Sequence, residues 1–357
     1  MKINFVLPPN GDHPVGGFKI VFQYANQLVK NGNDVSITFL NSLYPEKHSK
    51  FVNLLLRTER SVLKKNLDNT QITWFNLDKR IKLFFNVIYN NEIPKSDVIV
   101  ATAVQTAKYI NGMDEKFGRK YYFIQNYETW AYSEDEVNDT FSLPYTKVVI
   151  SKWLYGIVKE FTNDEVYVVP NFIDPDIFYL SKNIKDRKNV VSMLYHTLPE
   201  KNVEFGLSVL KNLKSKIPDL KVNLFGVFEK PDNLPEYIDY YEKPTQKELC
   251  NKIYGESKVY LLPSLLEGWG LTCMEAMASG AVLVSSDIGG VADYTSDGKN
   301  SFLVKPNDLR TFSNKIERLL RNDNLRLKMA NSATKINEDF SIKKSTSLLE
   351  KIFNLER

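Results

Sequence analysis

Short apolar runs alternate with helical repeats along most of this chain, and that alternation restricts the fold more than any other feature. In the first half the runs are KINFVL, DVSITFL, DVIVAT, YYFIQN, KVVIS and EVYVVP. Between the first two, a helical stripe of Val21, Tyr24, Ala25, Leu28 and Val29 runs from about Gly17 to Lys30, with Gly32 as its stop. Strand, glycine turn, helix, strand is the unit of a parallel sheet covered by helices on both faces. The alternation restarts after VVPNFIDPDIFY with VVSMLYH, KVNLFGV, KVYLLPS, AVLVSS and SFLVKP. Helices are expected from about Val203 to Lys214 and near Gln246 to Tyr254, and from Asp308 onward the pattern is almost wholly helical.

At 357 residues the chain exceeds what one core usually organises. The expectation is therefore an α/β protein of two doubly wound parallel-sheet domains, 1–170 and 171–340, with a cleft between them. Residues 341–357 form a last helix that either half could receive, the N-terminal one included.

The formal charge is +4, with 47 basic residues interleaved among 43 acidic ones, which is too mild a balance for nucleic-acid binding. Cys250 and Cys273 both fall in helical patterns, so neither a disulfide framework nor a metal cluster is expected, and a reducing cytoplasm fits. The start MKINFVLPPNG is too short an apolar run for a signal peptide, and no run of 18 apolar residues follows.

Ligands of open α/β sheets bind beyond the carboxyl ends of the strands. Glu267 lies just past KVYLLPS, in SLLEGWGLTCMEAMASG, ahead of the Gly268, Trp269, Gly270 turn. Glycine there lets a ligand approach the backbone. The helix starting near Thr272 offers N–H groups and a positive dipole end to an anion such as a diphosphate. Glu275, one turn in, reaches a sugar diol in one reading and closes a Thr272–Glu275 capping box in the other. Glu267 is either a ligand to the same molecule or a solvated charge.

The stretch PSLLEGWGLTCMEAMASGAVLVSSDIGGVADY resembles the E-x7-E region of retaining glycosyltransferases of family 4, whose fold is GT-B, and the likeness reaches back through LPEKNVEFGLSVL and VVPNFID. It covers the C-terminal half well and the N-terminal half by pattern alone. The resemblance implies that Glu267 faces the transferred sugar and Glu275 holds the nucleotide ribose. Amides near Gly270, Leu271 and Thr272 would hold the distal phosphate, and Lys201 would neutralise the diphosphate as its bond breaks. Without the motif, Lys201 reads as a solvated residue near a helix start.

Two departures from the family stand out. Many relatives carry an Arg shortly before the lysine, where this chain has His196 and Thr197. A lost guanidinium is a lost bidentate phosphate ligand, and His196 is either a phosphate donor or an ordinary strand-end residue. Relatives also often have a histidine after the fourth N-terminal strand; here YYFIQNYETW offers Asn126 and Glu128, for the sugar, the acceptor or structure alone. Gly16 and Gly17 in DHPVGGFKI open a helix as a phosphate-binding turn would, but the pattern is not G-x-G-x-x-G and no acidic residue follows the second strand suitably, which disfavours NAD. His13 reads as loop surface.

The implied activity is transfer of a hexose or rhamnose from a nucleotide-diphosphate donor to a glycan or lipid-linked acceptor in surface-polysaccharide synthesis. Charge on the departing diphosphate would be met by Lys201 and the helix-start amides, so no metal or other cofactor is expected. Residues 46–65 mix Phe51, Val52, Leu54, Leu55 and Leu56 with Lys47, Lys50, Arg57, Arg60, Lys64 and Lys65, and read either as a buried-face helix or as a peripheral contact with the inner membrane face. Rival readings are a nucleotide-sugar 2-epimerase, which needs no acceptor, and an idle sugar-nucleotide-binding or partner-binding protein.

Overall fold

The computed structural model describes residues 1–41 and 70–355; the mixed basic and apolar stretch 46–65 lies outside them. The chain divides into two compact units. One comprises Met1–Ile150, Leu154–Val169 and the stretch from Thr346, the other Ser151–Trp153 and Pro170–Ser345.

The first unit holds β1 (Lys2–Leu7), β2 (Asp34–Leu40), β3 (Lys82–Val87), β4 (Val98–Ala101), β5 (Arg119–Ile124), β6 (Thr146–Val149) and β7 (Val166–Val168). Among the described residues they form one parallel sheet in the order β3-β2-β1-β4-β5-β6-β7. The second unit holds β8 (Val190–Leu194), β9 (Lys221–Gly226), β10 (Ile238–Glu242), β11 (Val259–Leu262), β12 (Val282–Ser286) and β13 (Ser301–Val304). Its sheet is also parallel, ordered β10-β9-β8-β11-β12-β13. Both sheets therefore run outward from their first strand in two directions, the doubly wound pattern.

The central strands are buried from end to end, as in VIVA of β4 and VYLL of β11, because helices cover both faces and leave no solvent side for polar alternation. The apolar runs named from the sequence all fall on strands. β3 and β10 have no counterpart among them: KLFFNV and IDYYE are half-exposed edge strands, whose apolar content is diluted because only part of each is buried.

In the second unit Val191, Met193, Leu210, Leu224, Leu261 and Val284 are among the side chains of one apolar core. The Val203–Lys216 helix crosses from β8 to β9, and its Gly206 lies against Met193, where a Cβ would come within 2.4 Å of the sulfur. The Ile342–Asn354 helix carries Leu349, Ile352 and Phe353 buried; in the first unit Arg119 donates to Phe353 O at 2.6 Å and Tyr121 packs on the Phe353 ring. Among the described residues no helix is long and apolar enough to cross a membrane.

Candidate active site

In the second sheet the chain leaves β8 toward β9 but leaves β11 toward β12, although β8 and β11 are neighbours with Met193 opposite Leu261. Winding in opposite directions opens a crevice at their carboxyl ends. The loops leaving these two strands carry Lys201 and Glu267. Three bonds lace them together: Leu265 N–H donates to Glu200 O at 2.7 Å, Asn202 Nδ2 to Pro263 O at 3.1 Å, and Lys201 Nζ to Glu267 Oε1 at 2.7 Å. Asn202 caps the following helix in the left-handed region (φ 52°), a conformation asparagine tolerates better than most residues. The Lys201 and Glu267 side chains are 20% and 10% exposed, so their charges meet where water screens them less than on an open surface. Ser264 Oγ donates to the same oxygen, Glu267 Oε1, at 2.9 Å.

The Glu267 main chain is held as tightly as its side chain. Gly290 N–H donates to Glu267 O at 3.0 Å, and the Gly289-Gly290 backbone lies so close that a Cβ on either residue would fall 2.0 Å from the carbonyl oxygen of Glu267 or Gly268 respectively. Trp269 is buried against Tyr294 and Phe340, and the Tyr294 hydroxyl donates to Trp269 O at 2.8 Å. Gly270 then turns through φ 81° as the cap of the Leu271–Ala278 helix. Thr272 thus stands inside the first turn, not at the cap that a Thr272–Glu275 box requires. The Leu271 and Thr272 amides precede the first intrahelical bond, and the dipole end there favours an anion. Burial pushes the Cys273 thiol well above its usual range, so it packs as a neutral group and offers no thiolate.

Glu275 lies one turn along, buried, and accepts from Tyr254 OH at 3.1 Å. Burial, and then the Glu275 charge, push the Tyr254 phenol well above its usual 10, which keeps it a donor.

His196 lies two residues past the end of β8, in the same crevice. Its Nδ1 accepts from Leu198 N–H at 3.0 Å, which assigns the proton of the neutral ring to Nε2, and its ring meets Phe228 edge-on at 5.0 Å. Burial, and then the Lys201 ammonium, lower its pKa below the ordinary 6.5. The unfolded chain therefore takes up the proton first. This contribution to stability is complete above 6.5 and is withdrawn as pH falls from there through the lowered folded value. His196→Asn keeps an acceptor for Leu198 N–H but does not titrate. Urea unfolding at pH 5 and pH 7 should show a smaller acid-induced loss in that variant than in the wild type; equal losses would contradict the assignment.

Gly16, Gly17, Asn126 and Glu128 belong to the first unit. Gly16 and Gly17 open the Gly16–Lys30 helix after β1, and a Cβ on Gly17 would stand 3.3 Å from Gln125 Nε2, at the end of β5. Asn126 Oδ1 accepts its neighbour Tyr127 N–H at 2.9 Å. Glu128 Oε2 accepts Val104 N–H at 3.3 Å, at the start of the Val104–Asn111 helix, and so carries a structural bond. His13 is an exposed loop residue whose Nδ1 is 3.0 Å from Gly11 O. The remaining predicted site residues, Lys201, His196, Glu267, Gly270, Leu271, Thr272 and Glu275, all belong to the second unit.

Sequence reading missed Ser264, Asn202, Tyr254 and Tyr294. Ser264 stood inside the quoted motif, three residues before Glu267, and that spacing was its only signal. Tyr294 closes the longer quoted stretch and Tyr254 lies outside it; neither residue's type or spacing signalled the contact it makes.

Residues 179–336 match the family model described as Glycosyl transferases group 1. An uncharacterised glycosyltransferase of Haemophilus influenzae is 27% identical over 191 residues, 51% of this chain and 53% of the relative. A D-inositol 3-phosphate glycosyltransferase of Corynebacterium aurimucosum is 32% identical over 118 residues, 33% of this chain and 28% of the relative. The matched stretch thus spans about half the length of the first of these, or less. Whole-chain likeness is to solved structures. A sucrose-phosphate synthase from Thermosynechococcus elongatus superposes with a TM-score of 0.77 at 13% identity, covering 99% of this chain and 98% of that one. Anabaena HepE, solved with UDP and glucose, gives 0.74 at 13% identity over 99% and 100%. At such identities the likeness is one of fold: two parallel-sheet α/β domains, the GT-B architecture of these glycosyltransferases.

Proposed function

We propose that the chain, whose residues 179–336 carry the group 1 glycosyl transferase pattern, is a retaining, metal-independent glycosyltransferase of family 4. It moves a hexose or rhamnose from a nucleoside diphosphate to a hydroxyl of a glycan or lipid-linked acceptor, in cytoplasmic synthesis of surface polysaccharide, with peripheral membrane contact. The observation that carries this reading is the Lys201–Glu267 pair, 2.7 Å apart at the strand ends and next to the Gly270 helix start.

Each group has one task. The Leu271 and Thr272 amides receive the distal phosphate, and Lys201 supplies positive charge where the departing diphosphate becomes more negative. Glu275 accepts the ribose hydroxyls, and Glu267 accepts hydroxyls of the sugar being moved. His196 Nε2–H is a neutral donor to phosphate where relatives have a guanidinium. The bond from the sugar C1 to the phosphate oxygen breaks while the acceptor oxygen bonds C1 from the same face. The acceptor proton passes to that phosphate oxygen, leaving a nucleoside diphosphate and a glycoside of unchanged configuration. HepE, the structural neighbour named above, was solved with UDP and glucose, which supports trying uridine donors first.

Thermal-shift screening against UDP-, dTDP- and GDP-sugars should single out one donor, which at 100 times its Kd stabilises the protein by about 2.7 kcal/mol. Transfer with that donor should continue in EDTA and give the retained anomer by NMR. Loss of activity in EDTA would overturn metal independence. Binding with no turnover of any donor would identify an idle binding protein, and turnover without acceptor an epimerase.

A further inference from the structure

Resting on that reading of the site, we propose that Ser264 is a positioning residue that turns one oxygen of Glu267 toward the transferred sugar. Glu267 has two carboxylate oxygens, and the site treats them differently. Oε1 accepts both Lys201 Nζ at 2.7 Å and Ser264 Oγ at 2.9 Å, while among the described residues no hydrogen bond falls on Oε2. Two donors converging on one oxygen from different directions fix the plane of the carboxylate as well as its position. The second oxygen is thereby presented with its acceptor capacity intact, as recognition of a sugar hydroxyl requires.

Lysine alone does not achieve this. Its ammonium is a point charge on a flexible stem, with three N–H donors that a diphosphate also attracts. Ser264 is 2% exposed and sits on a loop whose neighbours are tied down: Pro263 O accepts from Asn202, and Leu265 N–H donates to Glu200 O. Its hydroxyl is neutral and short, so it stays on Oε1 when the Lys201 ammonium is shared with phosphate. The task of Ser264 is thus separable from that of Lys201. The serine touches neither phosphate nor sugar and acts through Glu267, on the chemical step.

The test compares wild type, Ser264→Ala and Ser264→Thr with the nucleotide sugar found by screening. Ser264→Ala should lower kcat roughly 10- to 100-fold, the scale of one lost hydrogen bond to a charged group. Affinity for the bare nucleoside diphosphate should stay within about twofold of wild type. Ser264→Thr, which keeps a hydroxyl at the same place, should recover most of the rate. A merely structural serine would instead lower the melting temperature and nucleotide affinity together. Unchanged kcat in Ser264→Ala overturns the inference, as does a loss of rate matched by weaker nucleotide binding. If the wild type transfers no sugar, the functional reading fails separately. Crystal structures of wild type and Ser264→Ala then decide the positioning claim: it predicts a rotated or doubly placed Glu267 carboxylate in the variant, and an unmoved one overturns it.

Discussion

Glu267→Ala is expected to reduce sugar transfer to less than about one-thousandth of wild type, the upper range for removing a group aligned with a reacting centre. The carboxylate joins the β8 and β11 loops through Lys201, and it is fixed by Ser264 as well. Its removal takes away the proposed sugar contact and leaves the Lys201 ammonium without its partner in a site where that side chain is only 20% exposed. Because the lysine tip can still reach water, the stability cost should stay near 1–2 kcal/mol, below the penalty for a fully buried broken pair. Nucleotide binding should survive, since the Leu271–Ala278 helix start and Glu275 do not depend on Glu267. Three measurements on one variant check this: transfer rate, melting temperature and affinity for the nucleoside diphosphate of the donor found by screening. Near-normal turnover would reject Glu267 as a site residue, and loss of all three would mean that it is chiefly structural.

Glu267→Gln sharpens the same test. Glutamine keeps the shape and an acceptor for Ser264 Oγ but removes the charge that faces Lys201. A strong loss of transfer in this isostere, with melting close to wild type, would assign the effect to charge and not to volume.

The parts of this arrangement that sequence disclosed were those with a short-range cause. Buried parallel strands need unbroken apolar runs, so the sequence alone places LPEK and LLEG beyond strand ends. A glycine beside a helix start marks a phosphate-sized approach, so Gly270 stood out too. Contacts made between distant segments were not legible. The Tyr254 hydroxyl reaches Glu275 from 21 positions away, and Tyr294 reaches Trp269 O from 25. Neither residue type nor spacing encodes that meeting. The edge strands β3 and β10 escaped for the opposite reason: their short-range pattern is real but diluted by exposure. His196 shows a third case. Its position just past the end of β8 was legible, whereas its tautomer follows from a bond to Leu198 N–H that only the fold supplies.

Gly290→Ala is expected to be among the most damaging single-methyl changes near the site. The added carbon would fall 2.0 Å from Gly268 O and 3.0 Å from the Ser151 Cβ. Ordinary contact between non-bonded heavy atoms is about 3.5 Å, so one backbone segment must retreat by over an ångström. Either the Glu267-Gly268 turn moves, which displaces the carboxylate, or the Gly289-Gly290 turn does, which breaks the 3.0 Å bond from Gly290 N–H to Glu267 O. Overpacking against a fixed main chain costs about 1–3 kcal/mol, and the lost buried hydrogen bond adds about 1 more. For a unit of this size that is a fall in melting temperature of several degrees, about 2–4 °C per kcal/mol. Transfer should be lost at temperatures where the variant is still folded, because every route of relief passes through the Glu267 turn or its support. Gly298→Ala is the control. Its φ of 72° also disfavours a side chain, but a Cβ there meets nothing within 4 Å, so it should cost about 1–2 kcal/mol of backbone strain and leave transfer intact. If both variants melt alike and both transfer sugar at the wild-type rate, the close approach of the two turns does not hold the site together.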